Sequence, residues 1–289
     1  MSSSADDDSV AAAQGGGVVR LRLDLCYDGT DFAGWARQPG QRTVQALVED
    51  ALATILRVPV SLTVAGRTDA GVHAAGQVAH ADVPAATWTA FSPSLLRRLA
   101  GVLPPDVRVP ALGPAPDGFD ARFSVLSRRY AYRIADTPWG ANPLRRHDTL
   151  HWPRPLHMDR MQLAAAGLLG EHDFAAYCRR REGATTVRTL LRLDCERDQH
   201  NVMVAAVEAD AFCHTMVRSL VGALMDVGAG LRQPTWPGEL LVAGVRDPRV
   251  TVAPARGLTL VAVTYPDPAD LAERARHTRR RRTARTIGE

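Results

Sequence analysis

The sequence predicts an α+β fold assembled from two similar halves. Three observations carry that expectation. Runs of alternating apolar and polar residues recur along the chain and read as half-buried strands. Between them lie apolar stripes at helical spacing. The first half runs strand, helix, strand, strand, helix, strand, the ferredoxin-like split βαβ arrangement, and the second half repeats the pattern with little sequence identity. The 289 residues allow one large domain or two modest ones. With 46% hydrophobic and 23% charged residues, the chain can bury a sizeable core behind an ordinary charged surface.

Residues 1–17 are small, acidic and glycine-rich, and read as a disordered leader. Val19, Leu21, Leu23, Leu25 and Tyr27 then alternate with polar neighbours as a strand. Thr43 is placed to cap a helix whose stripe is Val44, Leu47, Val48, Ala51, Leu52 and Ile55. Strands are expected at 58–65 and 77–83, a helix opening at Ser92-Pro93 with Leu95, Leu96 and Leu99 inward, and a strand at 107–112. The Gly-Pro-rich stretch 113–118 is the best linker, dividing an N-terminal α/β domain (18–118) from a C-terminal one (119–266). The second half has a strand at 129–134, a long loop at 139–156, and a helix begun by Asp159. A strand pair at 190–195 and 202–209, a helix at 212–230 ended by Gly228 and Gly230, and a last strand at 257–265 complete it. The remainder, 267–289, is charged and arginine-rich and reads as a basic disordered tail.

No run is long enough to span a membrane, and the N-terminus is the opposite of a signal peptide, so a cytoplasmic protein is expected. Cys26, Cys178, Cys195 and Cys213 lie far apart with no paired spacing, which argues for reduced structural thiols rather than a metal site. All 35 basic residues are arginine, which removes Schiff-base chemistry and a lysine-dependent P-loop. Net charge is only +4, but arginines cluster at Arg97-Arg98, Arg128-Arg129, Arg145-Arg146, Arg179 to Arg181 and Arg279 to Arg282. Such clusters and an isoelectric point of about 9.2 fit a nucleic-acid partner.

The stretch Ala65 to Ala74, Ala-Gly-Arg-Thr-Asp-Ala-Gly-Val-His-Ala, joins two expected strands and carries more than a turn needs. Arg67 and Asp69 are two apart, so on an extended backbone they point the same way, and the arginine keeps the carboxylate ionised and aimed. By residue type alone this reads as a loop salt bridge on a solvated turn. The stretch resembles the signature loop of the TruA family of tRNA pseudouridine synthases, in which the aspartate is the catalytic nucleophile. Further motifs agree in order over about residues 19 to 266. Tyr27 to Gln38 is similar to the family's Tyr-Asp-Gly-Thr…Phe-x-Gly-Trp-x-x-Gln, and Phe119 to Ser124 to its Phe-x-Ala-Arg-Phe-Ser. Gly170 to Phe174 is close to the family's Gly-x-His-Asp-Phe. The loop at 28–38 reads equally as a base-stacking platform and as one with an aromatic plug packed beneath it.

The resemblance implies an isomerase that converts uridine to pseudouridine at positions 38, 39 and 40 of the tRNA anticodon stem-loop. It also implies a homodimer, a cleft between two α/β halves whose mixed or antiparallel sheets flank it, and no metal, redox or nucleotide cofactor. Asp69 is the implied nucleophile. Its target (C1′ of the sugar, C6 of the base, or a sugar proton) stays open. Tyr130, in Arg128-Arg129-Tyr130-Ala131-Tyr132, matches a tyrosine that stacks on the target base, while Tyr132 reads as core. Arg218, in Phe212-Cys213-His214-Thr215-Met216-Val217-Arg218, matches an arginine that pairs with the aspartate. Cys213 and Thr215 stand where many relatives carry histidine, which leaves a histidine's role there undecided. Leu258, in Ala255-Arg256-Gly257-Leu258, matches a leucine beside the base. Arg67 reads as a phosphate contact or a loop brace, and His73 as structural. Two rivals stand beside this reading: a catalytically inactive RNA-binding protein of the same fold, and a glycoside-cleaving hydrolase using Asp69. The latter normally requires a paired carboxylate.

Overall fold

A computed structural model describes residues 17–179 and 185–287. The expected leader, Gly17 excepted, and Arg180 and Arg181 of one arginine cluster lie outside the described residues. The first half comprises β1 (Val18–Tyr27), α1 (Val44–Leu56), β2 (Thr63–Val64), β3 (His73–Pro84), α2 (Ala85–Phe91), α3 (Leu95–Val102) and β4 (Val107–Pro114). The second comprises β5 (Ser127–Ala135), β6 (Leu150–His151), α4 (Met158–Ala166), β7 (Gly170–Asp173), β8 (Val187–Arg197), β9 (Met203–Ala209), α5 (Met216–Gly228), α6 (Trp236–Ala243) and β10 (Leu258–Thr264). Helix α7 (Leu271–Ile287) follows.

The alternation of β1 buries Leu21, Leu23, Leu25 and Tyr27 on one face, where the buried stripe of α1 joins the same core. Thr43 caps α1, its hydroxyl accepting from the Ala46 N–H at 3.4 Å. Helix α5 contributes Leu220, Leu224 and Val227 to the core of the second half, and Met161, Ala164 and Ala165 of α4 pack there too. Each buried Leu, Val or Met side chain here is worth about 1.5–3 kcal/mol relative to exposure.

The sequence pattern leads to separate sheets in two halves; one mixed sheet runs through both instead. Its order is β4-β1-β3-β10-β5-β9-β8-β7, with β2 added on β3 and β6 on β5. The seam is a parallel pairing of β3 with β10, Thr259 opposite His73 and Leu260 opposite Ala74. The neighbouring pairs β1·β3, β1·β4, β10·β5, β5·β9 and β8·β9 are antiparallel.

Other expectations need correction. The strand at 58–65 shrinks to Thr63–Val64, because Pro59 has no N–H for a ladder and the apolar run before Thr63 packs as loop. Leu96 is exposed while Leu95 and Leu99 are buried. The helix expected from 212 begins at Met216, since Thr215 adopts φ 68° and cannot continue a right-handed helix upstream. His157, not Asp159, is the N-cap of α4. The tail beginning at 267 is not disordered throughout: α7 occupies Leu271–Ile287. Finally, Cys178 and Cys213 are not free thiols but a disulfide, their Cα atoms 5.8 Å apart, while Cys26 and Cys195 are free.

Candidate active site

The loop between β2 and β3 carries Asp69, and its backbone is bound on all sides. The Thr68 carbonyl accepts from the Trp35 N–H at 3.0 Å, and the Phe32 carbonyl accepts from the Gly71 N–H at 3.2 Å. Gln77 Nε2 donates to the Gly66 carbonyl at 2.8 Å, and the Thr68 hydroxyl meets the Tyr27 hydroxyl at 2.7 Å. Burial pushes that Tyr27 hydroxyl up to about 12, against the lowering effect of its bonds to Thr68 and Gln77. Gly29 and Gly34 press directly on the loop: a Cβ on Gly29 would lie 2.1 Å from the Val72 carbonyl oxygen, and one on Gly34 2.9 Å from that of Thr68. Phe32 and Trp35 are fully packed, so the loop at 28–38 is the aromatic plug of its two readings, a support for the Asp69 loop rather than an open stacking platform.

His73 bolts the loop to the second half. The Gly29 N–H donates to its Nδ1 at 3.0 Å, and Nε2 faces the Arg256 carbonyl at 3.1 Å. Those partners fit the Nε2–H tautomer. The 3.1 Å approach of Asp28 Oδ1 to Nδ1 then has no proton between the two atoms. Asp28 is held by Thr30 and by His147, whose Nδ1 lies 2.7 Å away. Burial alone would raise the Asp28 carboxyl; these hydrogen bonds more than offset it and bring it down to about 2.

The loop opens onto a cleft of about 450 Å³, and every side chain singled out from the sequence lines it: Asp69, Arg67, Tyr130, Arg218 and Leu258. Arg122, Arg128 and Arg188 line it too, so five arginines face a single carboxylate among the described lining residues. Asp69 comes from the first half, Tyr130 from β5 in mid-sheet, Leu258 from the start of β10, and Arg218 from the first turn of α5. Tyr130 is buried, its ring edge-on to Phe212 at 5.3 Å. Burial drives its hydroxyl far above the ordinary tyrosine value, with Tyr27 and the Asp69 carboxylate adding to the shift and Arg128 opposing it. Tyr130 therefore presents a neutral hydroxyl to the cleft. Tyr132 is core, as expected, donating to the Pro254 carbonyl at 2.7 Å.

Arg128 is buried and, among the described residues, hydrogen-bonds to the backbone oxygens of Ala65 and Asp210. Burial lowers its affinity for a proton, but the residue stays cationic because an arginine begins so high. Arg67 is exposed and makes no hydrogen bond or ion pair among the described residues. Arg218 departs from the pairing that the resemblance implies. Its Nε donates to the Ala253 carbonyl at 2.6 Å, and among the described residues it forms no ion pair with Asp69.

The group beside Asp69 is instead His214, its Nε2 3.4 Å from Asp69 Oδ1. Sequence reasoning left this histidine undecided, because the motif departs from its relatives on both sides of it. The structure shows how it is aimed. The Cys178–Cys213 bond ties the preceding residue, the Arg179 N–H donates to the His214 carbonyl at 3.0 Å, and Thr215 turns the chain with a positive φ. A β-branched residue in that conformation is strained, and such strain persists only where the surroundings impose it. The one available signal was a histidine placed just ahead of the Met-Val-Arg run. No group of three or more His, Cys, Asp or Glu able to hold a metal ion occurs among the described residues. No helix there is long and apolar enough to cross a membrane.

Residues 164–266 match the family model described as tRNA pseudouridine synthase. The chain is 67% identical over 264 residues to tRNA pseudouridine synthase A of Frankia casuarinae, covering 91% of this chain and 95% of that one. It is 58% identical to the protein of the same name from Streptomyces griseus, covering 92% and 95%, and 51% identical to that from Mycobacterium leprae, covering 90% and 94%. The chain belongs to the tRNA pseudouridine synthase family, a family of isomerases. Among solved structures, the archaeal box H/ACA sRNP Nop10-Cbf5 complex matches at 12% identity and a TM-score of 0.31, covering 71% of this chain and 44% of that one, and is too remote to inform the fold.

Proposed function

We propose that this protein converts uridine to pseudouridine at positions 38, 39 and 40 of the tRNA anticodon stem-loop, with Asp69 as nucleophile, and that it works in the cytoplasm as a homodimer. The observation that carries the reading is the cleft: one half-exposed carboxylate, one buried neutral tyrosine and a leucine face five arginines. The reaction breaks the N-glycosidic bond, turns the base and rejoins it through C5. Asp69 supplies the carboxylate. Tyr130 and Leu258 bound the space for the detached base, and the Tyr130 hydroxyl relays the C5 proton, accepting it as its own proton passes to water in the cleft. Arg67 and Arg218 meet the RNA backbone, Arg218 through the guanidinium nitrogens that its bond to Ala253 does not use. A uridine in a duplex must first be flipped out, at a cost of a few kcal/mol. His214 steadies the Asp69 carboxylate.

Two split βαβ halves, 18–118 and 119–266, are supported by the strand orders β4-β1-β3-β2 and β10-β5-β9-β8, each running fourth, first, third, second within its half. A glycoside hydrolase is disfavoured because no second carboxylate lines the cleft among the described residues.

The test is pseudouridine formation on unmodified tRNA, mapped chemically by position, for the parent and for Asp69→Asn. The parent forms pseudouridine at 38, 39 and 40; the variant binds tRNA and forms none. Pseudouridine made by pure Asp69→Asn would remove Asp69 from the chemistry, and a silent parent would leave an RNA-binding protein.

A further inference from the structure

We propose that α7 is a second RNA-binding surface, one that holds the phosphate backbone of the substrate tRNA outside the cleft; this rests on the reading of tRNA as substrate. The helix carries seven arginines and a single glutamate over Leu271–Ile287. Such a composition normally marks a solvated tail, but here its first two turns are docked. Leu271 and Ala275 are buried, and the Leu271 carbonyl accepts from the Ser124 hydroxyl at 3.1 Å. Arg274 Nε donates to the Val125 carbonyl at 3.1 Å, and Arg279 reaches Asp120 at 2.6 Å. Ala272 lies so close to Gly118 that a Cβ there would sit 2.6 Å from its own.

The docking site adjoins the cleft. Asp120 accepts from the backbone N–H groups of Arg122 and Phe123, each at 2.8 Å, in the same turn that Arg279 grips. The Phe123 ring has the Arg122 guanidinium carbon 5.2 Å from its centroid and that of Arg279 at 4.9 Å. Arg122 lines the cleft. One aromatic ring therefore separates the cleft from α7, and an RNA strand leaving the cleft across Arg122 meets the helix next.

What the helix offers there is unneutralised charge. Arg276 and Arg280 are exposed and form no hydrogen bond or ion pair among the described residues. They stand four apart, on one face, where like charges destabilise a helix unless a counter-charge joins them. Beyond Arg279 the helix continues for eight residues, about 12 Å at 1.5 Å per residue. A helical arm carrying two unneutralised cations beside a cleft lined by arginines complements a polyanion with charges spaced along its backbone. Arginine forks suit its phosphates.

The test uses the full chain with Arg276→Gln and Arg280→Gln together, leaving the anchors Arg274 and Arg279 in place. Affinity for unmodified tRNA is measured across salt concentrations, beside single-turnover pseudouridine formation at saturating enzyme. A matched control, Arg192→Gln with Arg249→Gln, removes equal charge from two surface ion pairs elsewhere. The α7 pair weakens tRNA binding about 10-fold near physiological salt and makes the log–log salt slope shallower by about 2, while the saturated rate is unchanged. The control stays within about 2-fold of the parent. Unchanged affinity and slope for the α7 pair overturn the inference, as do equal losses in both double variants, which would reduce the effect to net charge. If the parent binds tRNA but makes no pseudouridine, the functional reading fails while the binding measurements still decide the role of α7.

Discussion

Gly34→Ala and Gly40→Ala together test whether the loop at 28–38 sets the position of Asp69. Both glycines have positive φ, 101° and 68°, so alanine at either is strained by about 1–2 kcal/mol. For a chain of this size that lowers Tm by a few degrees, at about 2–4 °C per kcal/mol. Their surroundings differ. A Cβ on Gly40 meets nothing within 4 Å, whereas one on Gly34 lies 2.9 Å from the Thr68 carbonyl oxygen and 3.2 Å from the Asp69 carbonyl carbon and the Ala70 nitrogen. Ordinary contact begins near 3.4 Å, so the loop must retreat by about 0.5 Å. A 1 Å misplacement of a reacting group costs about 10²-fold in rate, which puts Gly34→Ala at roughly a 10-fold loss. The assay is single-turnover pseudouridine formation with saturating enzyme, alongside thermal melts and tRNA affinity. Gly40→Ala loses stability alone; Gly34→Ala loses stability and about a factor of 10 in rate, with affinity within about 2-fold. Equal rates for the two variants refute the reasoning, because the plug would then brace the fold without positioning the carboxylate.

Tyr130→Phe keeps the ring against Phe212 and removes a buried hydroxyl that has no hydrogen-bond partner among the described residues, so Tm holds while the single-turnover rate falls by about 10²-fold or more. A variant as fast as the parent would make Tyr130 a packing residue. His214→Ala removes a partly exposed neighbour 3.4 Å from Asp69, an interaction worth about 0.2–1 kcal/mol, so the rate falls at most about 5-fold and His214→Gln restores part of it. A loss beyond about 100-fold would instead put His214 in direct contact with the reacting atoms. Asp28 is held at about 2 in the fold against an ordinary 3.8, so its ionised form stabilises the protein above about pH 4 and that contribution disappears as pH falls toward 2. Asp28→Asn should therefore flatten the loss of Tm between pH 4 and pH 2, and melts of equal steepness for parent and variant would exclude that linkage.

What could be read from the sequence was local. The alternation at 19–27 and the stripe at 44–55 became β1 and α1 because each pattern needs only its own residues to specify a face. The five site residues meet in one cleft because each sat in a contiguous motif. What escaped lies between distant residues. Nothing in 73–84 or 258–264 alone says that β3 and β10 pair, and the Cys178–Cys213 bond joins residues 35 apart with no recognisable spacing. His214 owes its place to that bond and to the strained Thr215, neither of which a motif records. Helix α7 was hidden by its own composition. Leu271 and Ala275 are its buried apolar residues among those described, and Leu271 has meaning once Phe119, Ala121 and Val125 form the surface beneath it.

The β3–β10 seam also bears on how the protein is made. Asp69 is made long before Leu258 and the Arg256 carbonyl that His73 binds. During synthesis the first half waits with the β10-facing edge of β3 unpaired, a surface that invites wrong partners until the final strand arrives. A contact between residues so far apart in sequence also forms slowly, because the loop must close before the pairing rewards it. A chain that lacks β10 thus holds Asp69 without the complete cleft around it. The cleft is complete only once β10 has been made.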